Sequence, residues 1–347
     1  MMTTNNIIDD YKYLLEVIDQ RTIVHKVVGA TNEYIAETEK LIKQKNNLTK
    51  QITAHYDSIR SGRVGMFESC LEFMERMENT LEVDEDGNVV ETYYKLGIGA
   101  IDNEFFNGKG VFPNSLIAIG ADSAVGKTTL ALQIISSLAI QSVNSQFYSF
   151  EMGDRQFFNE VNPQAKNKLK RLLQTEFADN LSFDFHSREI NELANSIQMR
   201  ADDGVKAFVI DSYLSIYTGG SEFDKMTELT DMLATLKKEL GVLIIVIAQI
   251  SKSDSFNQVY DFSGGTKLKY ESDVALFIRL LEGEEHTTKR LMYCEKNRIF
   301  EDKQKFGIVT EYNRETHKIE KIANFKDYAG MGADGKELRP LKGFGKK

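Results

Sequence analysis

Apolar residues in the first sixty positions recur every third or fourth residue. Ile7, Ile8, Tyr11, Leu14, Leu15 and Ile18 fall close to a ~3.6-residue period, which predicts helix. A second stretch, 33–59, places Leu41, Leu48, Ile52 and Ile59 near heptad spacing among Lys, Glu, Gln and Asn. Two readings fit it: an amphipathic helix packed on its neighbour, or a short coiled coil or subunit-contact helix. Gly62 punctuates, 66–77 reads as another short amphipathic helix, and the acidic run 82–88 with its Asp-Gly-Asn bend reads as a solvated linker.

The pattern then changes. Short apolar runs at 115–120, 145–150, 207–210, 242–250 and 274–280 alternate with helical periodicity at about 127–141, 154–175, 187–202 and 224–240. Apolar strands separated by helices predict an α/β fold, with a mostly parallel central sheet covered on both faces. Three more strands are expected within 291–322. The organisation is a helical amino-terminal region over 1–62, a linker helix and acidic linker over 63–95, the α/β domain over 96–325, and a basic tail over 326–347. The tail carries five Lys or Arg after Asp334 against one Glu; its lysines read as a solvated terminus or a loose contact with polyanions.

Composition narrows this further. Of 347 residues, 41% are hydrophobic, 27% are charged and only three are proline, which excludes a disordered chain. The net charge of −9 excludes a basic sleeve for nucleic acid, so any such contact must be local. Cys70 and Cys294 form no metal-ligand spacing and no disulfide framework. The first twenty residues lack a signal-peptide pattern, and the nine-residue run 242–250 is far short of the ~20 residues that cross a bilayer. A cytoplasmic protein with no membrane association is expected.

The strongest chemical signal is the segment from Gly120 to Thr129: Gly120, Ala121, Asp122, Ser123, Ala124, Val125, Gly126, Lys127, Thr128 and Thr129. A buried strand precedes it and an amphipathic helix follows, the setting a phosphate-binding loop requires. Consecutive backbone N–H groups and the positive end of the helix suit a polyphosphate. Lys127 supplies a mobile cation and Thr128 a hydroxyl for Mg²⁺, so ATP and Mg²⁺ are the expected ligands. The loop opens on Ala121 rather than Gly, with Gly120 one residue earlier. Asp211, after four apolar residues, is placed at the carboxyl end of a strand as the second metal-side ligand. Glu151 ends another strand and is a candidate for activating water; its alternative is a charge partner for a helix start. Gln249 ends a third, as a sensor of the γ-phosphate or a polar loop residue.

These residues resemble the RecA-like ATPase domain of DnaB-type hexameric replicative helicases, over roughly 66–322. The resemblance runs through the approach Leu96 to Asp102, the loop, the Phe-Glu-Met at 150–152, the strand ending in Asp211, the strand ending in Gln249, and the Lys-Asn-Arg at 296–298. It implies a RecA-like P-loop NTPase fold and ATP-driven movement on single-stranded DNA, 5′ to 3′. It implies a hexamer in which Glu151 is the base and Lys296 and Arg298 reach the neighbouring subunit's nucleotide, with 66–77 as the linker helix. A primase or helicase loader is the further partner the family implies, although the short amino-terminal region carries no matching motif. The chain departs from the family in its DNA-contacting loop, where the Arg is missing. Contacts would fall to Gly264, Gly265, Thr266, Lys267 and Lys269, largely through backbone N–H groups. A RecA- or RadB-like recombination ATPase and a KaiC-like ATPase switch share the loop and the Asp.

Overall fold

The computed structural model describes residues 10–14, 17–18, 21, 32–63, 92–121, 125–153, 157, 177–216, 222–250, 261–263, 266–281, 287–313 and 319–325. The expected helices at 66–77 and over most of 154–175, the acidic linker and the basic tail lie outside them. The chain forms two compact units, Met1–Glu91 and Thr92–Lys347.

In the first unit, α1 (Asn32–Arg63) runs through Gly62 rather than stopping there. Glycine costs only about 1 kcal/mol in a helix, and least near an end. Ile52 and Thr49 are buried, and Leu41 and Leu48 half-buried, while Ile35 and Ile42 face outward. An inward row of this kind is the pattern of an amphipathic helix. Arg21 anchors the first turns, stacking 4.2 Å over the Tyr34 ring and pairing with Glu37 at 2.5 Å.

The second unit begins with α2 (Gly99–Phe105), β1 (Leu116–Ala121), α3 (Lys127–Ile140), β2 (Ser145–Ser149) and β3 (Leu181–Asp184). It continues with α4 (Ile190–Asp202), β4 (Ala207–Asp211), α5 (Glu222–Leu240), β5 (Leu243–Gln249) and α6 (Lys267–Glu271). It closes with β6 (Val274–Leu280), β7 (Lys289–Asn297), β8 (Phe306–Tyr312) and β9 (Ile319–Asn324). The nine strands form one sheet in the order β3-β2-β4-β5-β1-β6-β7-β8-β9. The six strands from β3 to β6 are parallel, and β7, β8 and β9 add as antiparallel hairpins.

Every residue of β1, β2 and β4 is buried. That explains their unbroken apolar runs: both faces are covered. Ile117, Ile119, Ile245 and Ile247 pack towards α2 and α3. Leu116, Ala118, Ile244 and Val246, one residue out of phase, pack towards α4 and α5. The sequence-derived order lacks β3. It is a four-residue edge strand with one buried leucine and polar Ser182 and Asp184, too short to register as an apolar run. Its Phe183 packs at a tilt against Phe147 and Phe157.

The entry to the sheet is fixed by Asp102, whose carboxylate accepts from the Leu96 and Gly97 N–H groups at 2.9 and 2.8 Å. Cys294 is fully buried on β7, and burial pushes its thiol well up, as core packing requires. Among the described residues no helix is long and apolar enough to cross a membrane.

Gly120 has a steric role. A Cβ there would stand 2.7 Å from the Phe277 ring and 3.0 Å from that of Phe262. The two rings stack at 4.8 Å. Gly120→Ala should therefore destabilise the fold by about 1–3 kcal/mol, the usual cost of overpacking. Urea denaturation checks this, and an unchanged midpoint would remove Gly120 from any packing role.

Candidate nucleotide-binding site

Four adjacent strands end on one edge, and their last residues meet there. Ala121 of β1 pairs with Gln249 of β5, Ile247 of β5 with Asp211 of β4, and Asp211 with Ser149 of β2. Glu151 follows two residues after Ser149, and the Phe150 N–H donates to the Asp211 carbonyl at 2.7 Å. The carboxyl edge of the sheet thus carries the loop, Gln249, Asp211 and Glu151 side by side. Strand ends in the sequence placed these residues on one edge; the strand order makes them neighbours.

Gly120 and Ala121 are the buried last residues of β1. Asp122, Ser123 and Ala124 lie outside the described residues. Gly126 adopts φ +96, a left-handed conformation that disfavours other residues. Its carbonyl accepts from the Leu130 N–H at 2.9 Å, opening α3 with Lys127, Thr128 and Thr129 in its first turn. The first N–H groups of such a helix have no internal partner and favour an anion.

Asp211 is 1% exposed, and neither carboxylate oxygen has a hydrogen-bond partner. Its pKa is pushed up to about 6. Burial is the main cause, the charge of Glu151 adds to it, and the nearby Thr128 hydroxyl and Lys127 ammonium oppose it. The Thr128 hydroxyl is close enough to favour the charged form without making a hydrogen bond of ordinary geometry. Lys127, Thr128, Asp211 and Glu151 therefore do converge. A buried carboxylate lacking a partner, next to a hydroxyl, fits a small divalent cation. Among the described residues no three His, Cys, Asp or Glu side chains form a metal cluster. The cation that fits is thus one that completes its shell with phosphate oxygens and water, as Mg²⁺ does.

Sequence reasoning missed the space beside the loop. A cavity of about 400 Å³ opens next to Gly126 and Thr129, walled by Arg290, Met292, Thr310 and Tyr312. These four come from β7 and β8, and only the hairpin register brings them to the loop. No spacing in the sequence signals that. Arg290 is oriented by donating to the Thr287 and Lys289 carbonyls, both at 2.7 Å.

Lys296 and Arg298 do not join this group. Asn297 pairs with Val274, and Val274 with Ile117, so the two cations sit at the opposite edge, a strand's length of roughly 20 Å away. Asn297 between them is fully buried. It donates to the Phe105 carbonyl at 2.9 Å and accepts from the Ile299 and Phe300 N–H groups, which fixes the turn.

Gly264 and Gly265 lie outside the described residues. Lys267 is half-buried and pairs with Asp231 at 2.5 Å, and Thr266 precedes α6. Lys269 is buried, 3.5 Å from Asp261. The base of the intervening loop is tied to Gln249, whose carbonyl accepts from the Ser263 N–H at 2.8 Å.

No family model matches the chain. The replicative DNA helicase DnaB of Treponema pallidum is 26% identical over 259 residues, 67% of this chain and 58% of that protein. The DNA repair protein RadA of Listeria monocytogenes is 26% identical over 197 residues, 55% of this chain and 38% of that protein. The chain spans about half the length of the curated relatives it matches. Among solved structures, a DnaB-like replicative helicase described with its primase interactions has a TM-score of 0.56 at 14% identity, covering 86% of this chain and 81% of that one. A KaiC-like protein from Pyrococcus horikoshii has a TM-score of 0.52 at 18% identity, covering 65% and 97%. The chain therefore shares its fold with a DnaB-like helicase and a KaiC-like protein, and is similar in sequence to DnaB and RadA.

Proposed function

We propose that this chain is an ATP-driven DNA helicase that works as a ring, most simply a hexamer, on single-stranded DNA. One observation carries the reading. Lys127, Thr128, Asp211 and Glu151 converge at one edge of the sheet, while Lys296 and Arg298 stand at the other, out of reach of their own loop. A site divided this way is completed by a second copy.

In this reading the triphosphate lies along the loop, and its nucleoside end occupies the cavity beside Arg290 and Tyr312. Lys127 neutralises the outer phosphates. Thr128 and Asp211 would hold magnesium, which would supply positive charge where the transferred group gathers negative charge. Glu151 takes a proton from the water whose oxygen bonds to the γ-phosphorus as the bond to the bridging oxygen breaks. Lys296 and Arg298 of the adjoining copy stabilise that charge. Gln249 sits where loss of the γ-phosphate can be passed to the loop it ties through Ser263. That loop, with Gly264, Gly265, Thr266 and Lys267, faces the DNA backbone without reading sequence.

A forked-duplex assay tests this. Strand separation that needs ATP, Mg²⁺ and a 5′ single-stranded tail is expected; hydrolysis without separation overturns it. The likeness to RadA supports a second reading as a repair ATPase, which filaments rather than closed rings in electron micrographs would favour. Turnover indifferent to single-stranded DNA would favour a switch.

A further inference from the structure

Asn297 is the last residue of β7 and stands between Lys296 and Arg298. It is polar yet wholly buried, and its strand partner Val274 is a wholly buried apolar residue, as is Phe105 beside it. Valine or leucine would suit such surroundings. The amide is instead used on three backbone groups. Nδ2 donates to the Phe105 carbonyl at the end of α2 at 2.9 Å, where a helix leaves its carbonyls unpaired. Oδ1 accepts from the Ile299 and Phe300 N–H groups at 3.0 and 2.8 Å. These bonds close the turn, and Ile299 and Phe300 pack inward against the core.

Successive residues of an extended strand face opposite ways. With Asn297 facing the core, Lys296 and Arg298 both face away from it, the first half-buried and the second exposed. Lys296 Nζ donates to the Lys269 carbonyl at 3.1 Å and to the Tyr270 carbonyl. Arg298 Nη2 donates to the Tyr270 carbonyl at 3.2 Å, and its other terminal nitrogen stands 3.9 Å from Asp273 Oδ1. In the backbone, the Lys296 carbonyl accepts from the Cys294 thiol at 3.4 Å and the Arg298 N–H donates to the Asp273 carbonyl at 2.8 Å.

We infer that Asn297 is a positioning residue for catalysis across the subunit boundary: its three hydrogen bonds set where the chain turns, and so where Lys296 and Arg298 meet the adjoining copy's γ-phosphate. The inference rests on the divided site proposed above. The side-chain contacts of the two cations are given up when they turn to a phosphate. What then stays fixed is the backbone that carries them, and the amide supplies three of its ties from one side chain. Alanine at this position would leave a buried carbonyl and two N–H groups without partners, and the turn would shift to satisfy them.

In the full chain, Asn297→Ala should lower ATP turnover about a hundredfold, the usual cost of displacing a catalytic group by about 1 Å. Affinity for a fluorescent ATP analogue should hold, because the phosphate loop is at the other edge. The deciding measurement is an equimolar mixture with Lys127→Ala. Asn297→Ala keeps a sound loop and misplaces its cations, whereas Lys127→Ala keeps sound cations and lacks a working loop. Where the loop of the first meets the cations of the second, a complete site forms. In a randomly mixed ring this holds at about a quarter of the interfaces, so turnover should exceed that of either variant alone by more than about tenfold. Damage spread through the fold would not be repaired in this way. Parental turnover in Asn297→Ala overturns the inference, as does lost affinity for the analogue or a mixture no faster than its parts. Should Asn297→Ala not fold, Asn297→Ser, which keeps a hydroxyl but is too short to bridge Phe105 and the turn, is put through the same measurements and judged by the same outcomes. Arg298→Ala mixed with Lys127→Ala is run alongside. If that mixture stays inactive, or Arg298→Ala alone keeps parental turnover, the divided-site reading itself falls. If it recovers and the Asn297 mixture does not, only this inference falls.

Discussion

Lys127→Ala should reduce ATP turnover by about a thousandfold, the upper range for removing one group that stabilises developing charge. Lys127 opens α3 directly after the left-handed Gly126, and its ammonium is near enough to act on the Asp211 carboxylate. A triphosphate on the loop would place its outer oxygens between these groups. Without the ammonium, the buried Asp211 and the exposed Glu151 would face the γ-phosphate with less positive charge to offset them. Arginine should not rescue the loss, because its planar fork cannot replace a compact cation at the end of a flexible stem. Lys127 is half-buried at a helix start, so its loss should leave the melting temperature within about a degree for a surface change. Phosphate release checks the prediction. Turnover above a tenth of the parent would remove Lys127 from the chemistry.

Asp211→Asn should reduce turnover by about a hundredfold or more and yet stabilise the ligand-free protein. The raised pKa gives the sign. A carboxyl that titrates near 6 in the fold and at 3.8 when exposed binds its proton more tightly in the folded state. Its destabilising effect is absent below the lower value, grows between the two, and is complete above the higher. Two pKa units correspond to about 3 kcal/mol, from which the cost of burying an unpaired amide is subtracted. A net gain of about 1–2 kcal/mol, or roughly 2–8 °C in melting temperature, is expected at pH 8 and none at pH 4. Calorimetry at the two pH values checks this. An equal shift at both would show that the gain comes from packing and not from charge.

Much of the fold was legible because a sheet covered on both faces leaves unbroken apolar runs. Residues 274–280 coincide with β6, and the runs at 115–120, 145–150, 207–210 and 242–250 locate the other central strands to within a residue or so. Asp211, Glu151 and Gln249 were legible for the same reason, as polar residues closing such runs. What stayed hidden depends on pairing. The wall formed by Arg290, Met292, Thr310 and Tyr312 exists only through the antiparallel register of β7 and β8. The Lys237–Asp273 pair joins α5 to the bend before β6, 36 residues on, and neither residue stands out in its own segment. The contacts of Lys296 and Arg298 with α6 are to backbone carbonyls, which carry no mark in a sequence.

The strand order also constrains synthesis. β1, at the centre of the sheet, is the first of the nine to leave the ribosome, but its two partners, β5 and β6, are translated more than a hundred residues later. Until residue 280 has emerged, six wholly apolar-facing residues wait without a permanent neighbour on at least one side. Helices 127–140 and 190–202 can shield them meanwhile, but the middle of this domain is completed only when most of its length has been made.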